Sequence, residues 1–406
     1  MTRAASFPSR LTHCRTPARF ASLAAVTALS LGCVGAVPPS EHPGSSEGDE
    51  QVGPSRSLPA GPARVFTGAH TGPVLDANFS HDGGSLITAG ADGFVHVWDI
   101  ATGEKRLTLE NHGGAVTAAR LSPDGRTIVT RAADAQVRLF STRSGELRAT
   151  FPGQTGRIEA ASFSPDSTAI VLGSQDGTAS LWDTQTGGLR RTLDSHGDQV
   201  TSATFSHDGE FVLTASHDGS ANIWEARTGA LRVTVEGHAD VLTLADFSPD
   251  GRSVLTASPD GSAKVWDAST GRVRTSLVGS TASILSASFS PAGPLVMTAS
   301  ADGSVRIWDI HGGEQRVTID GQAQLLSASY NVLGSHVVTA SGNGSARIWV
   351  AATGDMLADL VGHTARIHAA SFSPDDAAVV TASEDGSVRI WNATTGELRA
   401  TFVANE

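Results

Sequence analysis

Five histidines in this chain each stand 22 residues before an aspartate, and each of those aspartates stands six residues before an aromatic ring. The sets are His70/Asp92/Trp98, His112/Asp134/Phe140, His196/Asp218/Trp224, His238/Asp260/Trp266 and His363/Asp385/Trp391. In the four sets that end in tryptophan, a threonine lies ten residues before the ring: Thr88, Thr214, Thr256 and Thr381. Taken singly, a hydroxyl, an imidazole and a carboxylate could form a Ser–His–Asp type of proton relay, and regularly placed His and Asp could hold metals. Recurrence argues against both, because catalysis needs its site once and this set returns with every unit. The same groups have a structural use. A buried indole N–H needs an acceptor, a threonine hydroxyl supplies one, a histidine can bridge onward, and an aspartate can fix its tautomer. Four complete structural tetrads are therefore assigned, with no catalytic residue, no metal ligand and no cofactor.

The elements that position these groups follow from the beat of the ring residues. Trp98, Phe140, Trp182, Trp224, Trp266, Trp308, Trp349 and Trp391 are 42 residues apart in six of seven steps and 41 in the step to Trp349. Within one unit, Val200–Phe205 alternates as a half-buried strand does, and Ser206-His207-Asp208-Gly209 is a hairpin turn. Phe211–Ser216, Ala221–Trp224 and Leu231–Val235 read as three further strands, separated by Asp-Gly and Thr-Gly turns. Four short antiparallel strands per period describe one blade of a propeller.

At this point the repeats resemble the WD40 family. Gly237-His238, Ser248-Pro249-Asp250-Gly251, Thr256, Asp260 and Trp266-Asp267 reproduce that family's pattern nearly in full. The resemblance implies an all-β propeller over residues 63–406, with eight blades by count; the alternative is seven blades with a surplus or degenerate repeat. It also implies that the tetrads lock the outer strands of each blade to the loop between blades. Four repeats depart from the pattern, at Phe140, at Gln154 and Leu172, at Ser280, and at Gln322 and Asn343. Nine segments can serve as a fourth strand, one more than the blades need. The C-terminal segment Leu398–Phe402 is expected to take the edge of the last blade, leaving Arg64–Phe66 short or loosely docked.

The N-terminus reads as an address. Residues 1–32 carry Arg3, Arg10, Arg15 and Arg19 and no acid, and Phe20–Gly32 is apolar but too short to span a bilayer. Its end, Leu29-Ser30-Leu31-Gly32-Cys33, resembles the lipobox of bacterial lipoproteins, although Ser30 stands where that family prefers Leu. The resemblance implies a signal peptide over 1–32, acylation of Cys33, and an exported protein held at a membrane on the periplasmic or outer face. A soluble secreted or periplasmic protein is the alternative. The only other cysteine, Cys14, lies in the removed segment, so the mature chain has no intrachain disulfide. Residues 33–62, rich in Pro, Gly, Ser and Glu, read as a disordered tether of about 30 Å mean span.

The formal net charge of −12, with no basic stripe, argues against nucleic acid as a partner. No nucleophile elbow between a strand and a helix, and no phosphate loop, metalloprotease or Cys-x-x-Cys motif, is present. The reading is a monomeric, non-enzymatic scaffold that docks protein or peptide partners on the face built from the turns between the second and third strands and the loops between blades. Anchors for a partner should be side chains that vary while the framework stays constant. Arg157, His217, Leu285, Leu325, Arg366 and His368 are the candidates. A periplasmic enzyme using the central funnel is the competing reading, resting only on Asp76, Glu159, Asp246 and His368. An accessory role in outer-membrane assembly rests on architecture alone.

Overall fold

The structure is a computed structural model, which describes residues 63–151, 156–194, 196–280, 282–320 and 323–405. Gln154, Gln322, Cys33 and the expected signal and tether segments lie outside these residues. Every regular element among those described is a β-strand. They assemble into eight sheets in chain order, seven of four strands and one of five. Within a blade the strands run a, b, c, d from the axis outward. Blade 1 comprises Val74–Phe79, Ser85–Gly90, Val95–Asp99 and Lys105–Leu109. The innermost strands of blades 2 to 8 are Val116–Leu121, Ile158–Phe163, Val200–Phe205, Leu244–Phe247, Ile284–Phe289, Leu325–Tyr330 and Ile367–Phe372. The eight-blade count holds, and the seven-blade alternative falls.

Each apolar core is shared between two neighbouring blades. Trp98 and Leu86 of blade 1 pack with Val380, Ile390 and Phe402 of blade 8, so the ring closes on a full hydrophobic interface. Trp224 packs in the same way on Leu181 and Leu193 of blade 3. Where blades converge on the axis the space is narrow, and one position of strand a is alanine in all eight blades: Ala77, Ala119, Ala161, Ala203, Ala245, Ala287, Ala328 and Ala370. A larger side chain there would force neighbouring strands apart.

The closing blade uses both claimants for its edge. Leu398–Phe402 pairs antiparallel with Val388–Asn392 as the fourth strand, and Arg64–Phe66 adds outside it in parallel, Phe66 opposite Phe402. Phe66 stacks on Phe402 with ring centroids 5.0 Å apart, and the Val403 amide donates to the Phe66 carbonyl at 2.9 Å. The short first segment is therefore docked as a fifth strand.

Blade 7 lacks the Ser-Pro-Asp-Gly turn between strands a and b. In blades 1 to 5 and 8 the serine hydroxyl donates to the turn aspartate, as Ser248 does to Asp250 at 2.6 Å. In blade 7 the carboxylate comes from the neighbour: Asp376 of blade 8 accepts from Asn331 Nδ2 and from the amides of Val332 and Leu333 at 2.8–3.0 Å.

Candidate functional site on the top face

The turns between strands b and c and the loops between blades meet on one face, called the top. In blade 1 the Ala91 amide donates to the Pro73 carbonyl, and Thr71 donates its amide to Asp92. Beneath these loops lie the tetrad groups. His70 Nδ1 is 2.9 Å from Asp92, its Nε2 is 3.0 Å from Thr88 Oγ1, and Trp98 Nε1 donates to the same hydroxyl at 3.2 Å. In blade 4 the corresponding distances are 3.1, 2.7 and 2.9 Å for His196, Asp218, Thr214 and Trp224. In blade 8 they are 2.9, 2.7 and 2.8 Å for His363, Asp385, Thr381 and Trp391. In blade 5, His238 lies 2.7 Å from Thr256, which also accepts from Trp266 at 2.7 Å. Its other nitrogen is nearer to Ser262, at 3.0 Å, than to Asp260, at 3.5 Å.

Burial lowers the pKa of His196, His238 and His363 despite the aspartate beside each. Burial pushes Asp92 upward, but bonds from His70 and from the Thr71 and Phe94 amides outweigh it and hold the carboxyl at about 2. A neutral, sealed imidazole is a poor proton relay and a good strut.

The degraded repeats show substitutions within the same frame. Phe140 has no N–H; His112 still meets Thr130 at 3.0 Å but turns its other nitrogen to the Gly93 carbonyl, while Asp134 pairs with Arg138. With Leu172 in the threonine position, Trp182 donates to Ser180 instead, at 2.7 Å.

The candidate contact residues fall into two sectors around the mouth of the axial channel. Arg157 is exposed on blade 3, with its Nε 3.6 Å from Glu159. Gln175 donates to the same carboxylate at 2.7 Å, and buried Arg131 of blade 2 reaches the Glu159 carbonyl. This guanidinium-rich cluster was only half legible. Arg131 breaks a run of small residues (Ala89, Gly173, Ala215, Ala257, Ala299, Ala340 and Ala382) at one register position, and that break was its signal. His217, half-buried on blade 4, is held by the Gln199 side chain. On the opposite side, half-buried Leu285, Leu326, His368 and Leu75 line blades 6, 7, 8 and 1. Arg366 lies beside them over Gly342 of blade 7.

Leu325 is a correction. It is only 4% exposed and belongs to the core shared by blades 6 and 7. A bulge between Leu325 and Ser327 inserts one residue, so Leu326 is the leucine at the mouth. Of the four groups expected in a funnel enzyme, Asp76 is bound to Arg120 and Glu159 to the arginine cluster. Asp246 and His368 sit on the innermost strands of blades 5 and 8. Among the described residues no group of three or more His, Cys, Asp or Glu could hold a metal ion.

Eight blades of four antiparallel strands, the last with a fifth strand added at its edge, make this an eight-bladed β-propeller. The family model for the WD domain, G-beta repeat, matches seven segments: 61–99, 103–141, 145–183, 187–225, 229–267, 271–309 and 354–392. The chain belongs to the WD40 repeat family. The unmatched stretch, 310–353, holds the blade whose turn is clamped by Asp376. No curated protein matches the chain. Among solved structures, the crystal structure of the computationally designed Ika8 protein is similar, at 29% identity and a TM-score of 0.72. The match covers 82% of this chain and all of that one.

Proposed function

We propose that the protein is a non-enzymatic scaffold, exported and held at a membrane by a lipid on Cys33, that docks a protein or peptide partner on its top face. WD40 propellers are typical interaction scaffolds and generally non-enzymatic. One observation carries the choice of face: the channel mouth is divided between an arginine–glutamate–glutamine cluster on blades 2–3 and an apolar sector on blades 6, 7, 8 and 1, set on an otherwise repeated frame. A patch of this kind suits a peptide with an apolar anchor and an acidic neighbour.

Crosslinking in membranes followed by recovery of the chain tests the reading, comparing wild type with the double variant Arg157→Ala/Arg366→Ala. Loss of specific partners from the variant is expected, and an identical set from both proteins removes the top-face assignment. For the anchor, Cys33→Ser should move the protein from the detergent phase to the aqueous phase; unchanged partitioning removes the lipid.

A further inference from the structure

The face opposite the top, the bottom, is built from the turns between strands a and b and between strands c and d. Three positions of each blade carry most of its charge there. The third residue of the a–b turn is aspartate in six blades, as at Asp250. The last residue of strand c is an acid in five, and the second residue of strand d is arginine in seven. In five blades the last two form an ion pair, as Arg274 and Asp267 do at 2.5 Å. Blade 7 alone makes all three positions apolar, with Leu333, Val350 and Leu357. Core packing does not explain the change. Leu333 is 69% exposed, Val332 beside it 47%, and Met356 and Leu357 are 54% and 40% exposed. The Val332 and Leu333 amides donate to Asp376 of blade 8, so the backbone of the turn is fixed and both side chains stay in solvent. An apolar patch set among charged turns marks a surface that something covers.

The course of the chain indicates what lies on this side. Strand d of every blade runs from bottom to top, because it leads into the loop between blades. Arg64–Phe66 pairs in parallel with strand d of blade 8 and so runs the same way. At its lower end Arg64 donates to the Ala101 carbonyl, in the bottom turn of blade 1, at 2.9 Å. The preceding residues therefore join the propeller from the bottom, at the rim of blade 8, which adjoins blade 7. Residues 33–62, about 30 Å in mean span as a coil, link Cys33 to this point. A lipid on Cys33 pulls the bottom of the ring, and not the top, toward the bilayer.

We infer that the bottom of blade 7 rests on a zwitterionic phospholipid surface, with Val332 and Leu333 entering the headgroup region and Met356 and Leu357 beside them. The inference rests on the anchor proposed above and gives it an orientation: the top face, with Arg157 and Arg366, is turned away from the membrane toward its partner. Apolar side chains that reach the acyl boundary supply a second contact beside the lipid. A zwitterionic surface fits because an anionic one would repel a chain of net charge −12.

The test couples the full chain, carrying Cys14→Ser, through Cys33 to a maleimide phospholipid in phosphatidylcholine vesicles. The outcome is then independent of natural acylation. A fluorescent probe is placed at the bottom by Leu333→Trp or at the top by Leu285→Trp, and brominated phosphatidylcholine is the quencher. The fluorescence added over the parent chain should be strongly quenched in Leu333→Trp and unquenched in Leu285→Trp. Adding Met356→Asp/Leu357→Asp should cut the quenching of Leu333→Trp by roughly two-fold or more. No quenching beyond the parent, equal quenching of both probes, or indifference to Met356→Asp/Leu357→Asp overturns the orientation. A two-copy species in sedimentation that disperses in Leu333→Asp also overturns it, and makes the patch a contact between chains. Unchanged detergent partitioning of Cys33→Ser removes the natural anchor without altering the quenching, so the two readings fail separately.

Discussion

At the scale of single residues, the tetrad threonine holds the greatest leverage. Thr214 Oγ1 meets both His196 and Trp224, so removing it strands a buried donor, the Trp224 N–H, and a buried acceptor, His196 Nε2, at once. Thr214→Val keeps the shape and should cost about 2–3 kcal/mol in urea unfolding, more than one ordinary hydrogen bond is worth. Blade 3 shows why the loss is not fatal: Leu172 stands in this place and Trp182 has found Ser180. Asp246 makes the opposite prediction. Its folded pKa of about 7 lies above the unfolded value near 4, so its contribution is complete below about pH 4 and lost as pH rises through 7. Asp246→Asn should gain about 2–3 kcal/mol on wild type between pH 5 and pH 8. A constant difference across that range would mean the carboxyl does not titrate in the channel.

Strands and turns show how far the sequence could be read. The eight ring residues, the Asp-Gly turns and the alternation in strands such as Val200–Phe205 were legible because each is set by local geometry that repeats. Leu325 and Leu326 were not separable, since a single bulged residue exchanges the faces of a strand and has no local signature. The Asp376 clamp was hidden because it joins blade 8 to a turn some 44 residues earlier. The closing edge was legible in part: two segments competed for one place, and only the packing shows that both are used. The inner of the two carries the load. Phe402 is fully buried between blades 8 and 1, while Phe66 lies over it from outside. Phe402→Ala should therefore cost about 3–5 kcal/mol. Phe66→Ala should cost about 1 kcal/mol and leave the ring closed, as followed by urea unfolding and by exchange of the Val388–Asn392 amides. Equal losses would mean that the parallel strand is the true closure.

The whole ring responds to acid through its repeated tetrads. Because every core cluster spans two blades, weakening one interface loosens both of its neighbours, and small local penalties add into one transition. The buried histidines His196, His238 and His363 have pKa values lowered by burial, relative to an unfolded value near 6.5. Each therefore contributes stability that is complete above about pH 6.5 and is lost as pH falls through its folded value, since the unfolded chain takes up the proton first. Asp92, held at about 2, adds a second window: its contribution is present above about pH 4 and lost toward pH 2. Asp246 gains as the histidines lose, so the measurement belongs in the Asp246→Asn background. There the urea midpoint should be flat from pH 8 to about 6.5 and then fall steadily to pH 4.5. The slope should correspond to several protons, and His238→Gln should reduce it by about one. A midpoint flat through pH 5, or a slope untouched by His238→Gln, would show that the imidazoles titrate alike in folded and unfolded chains. The tetrads would then hold the blades together without sensing acid.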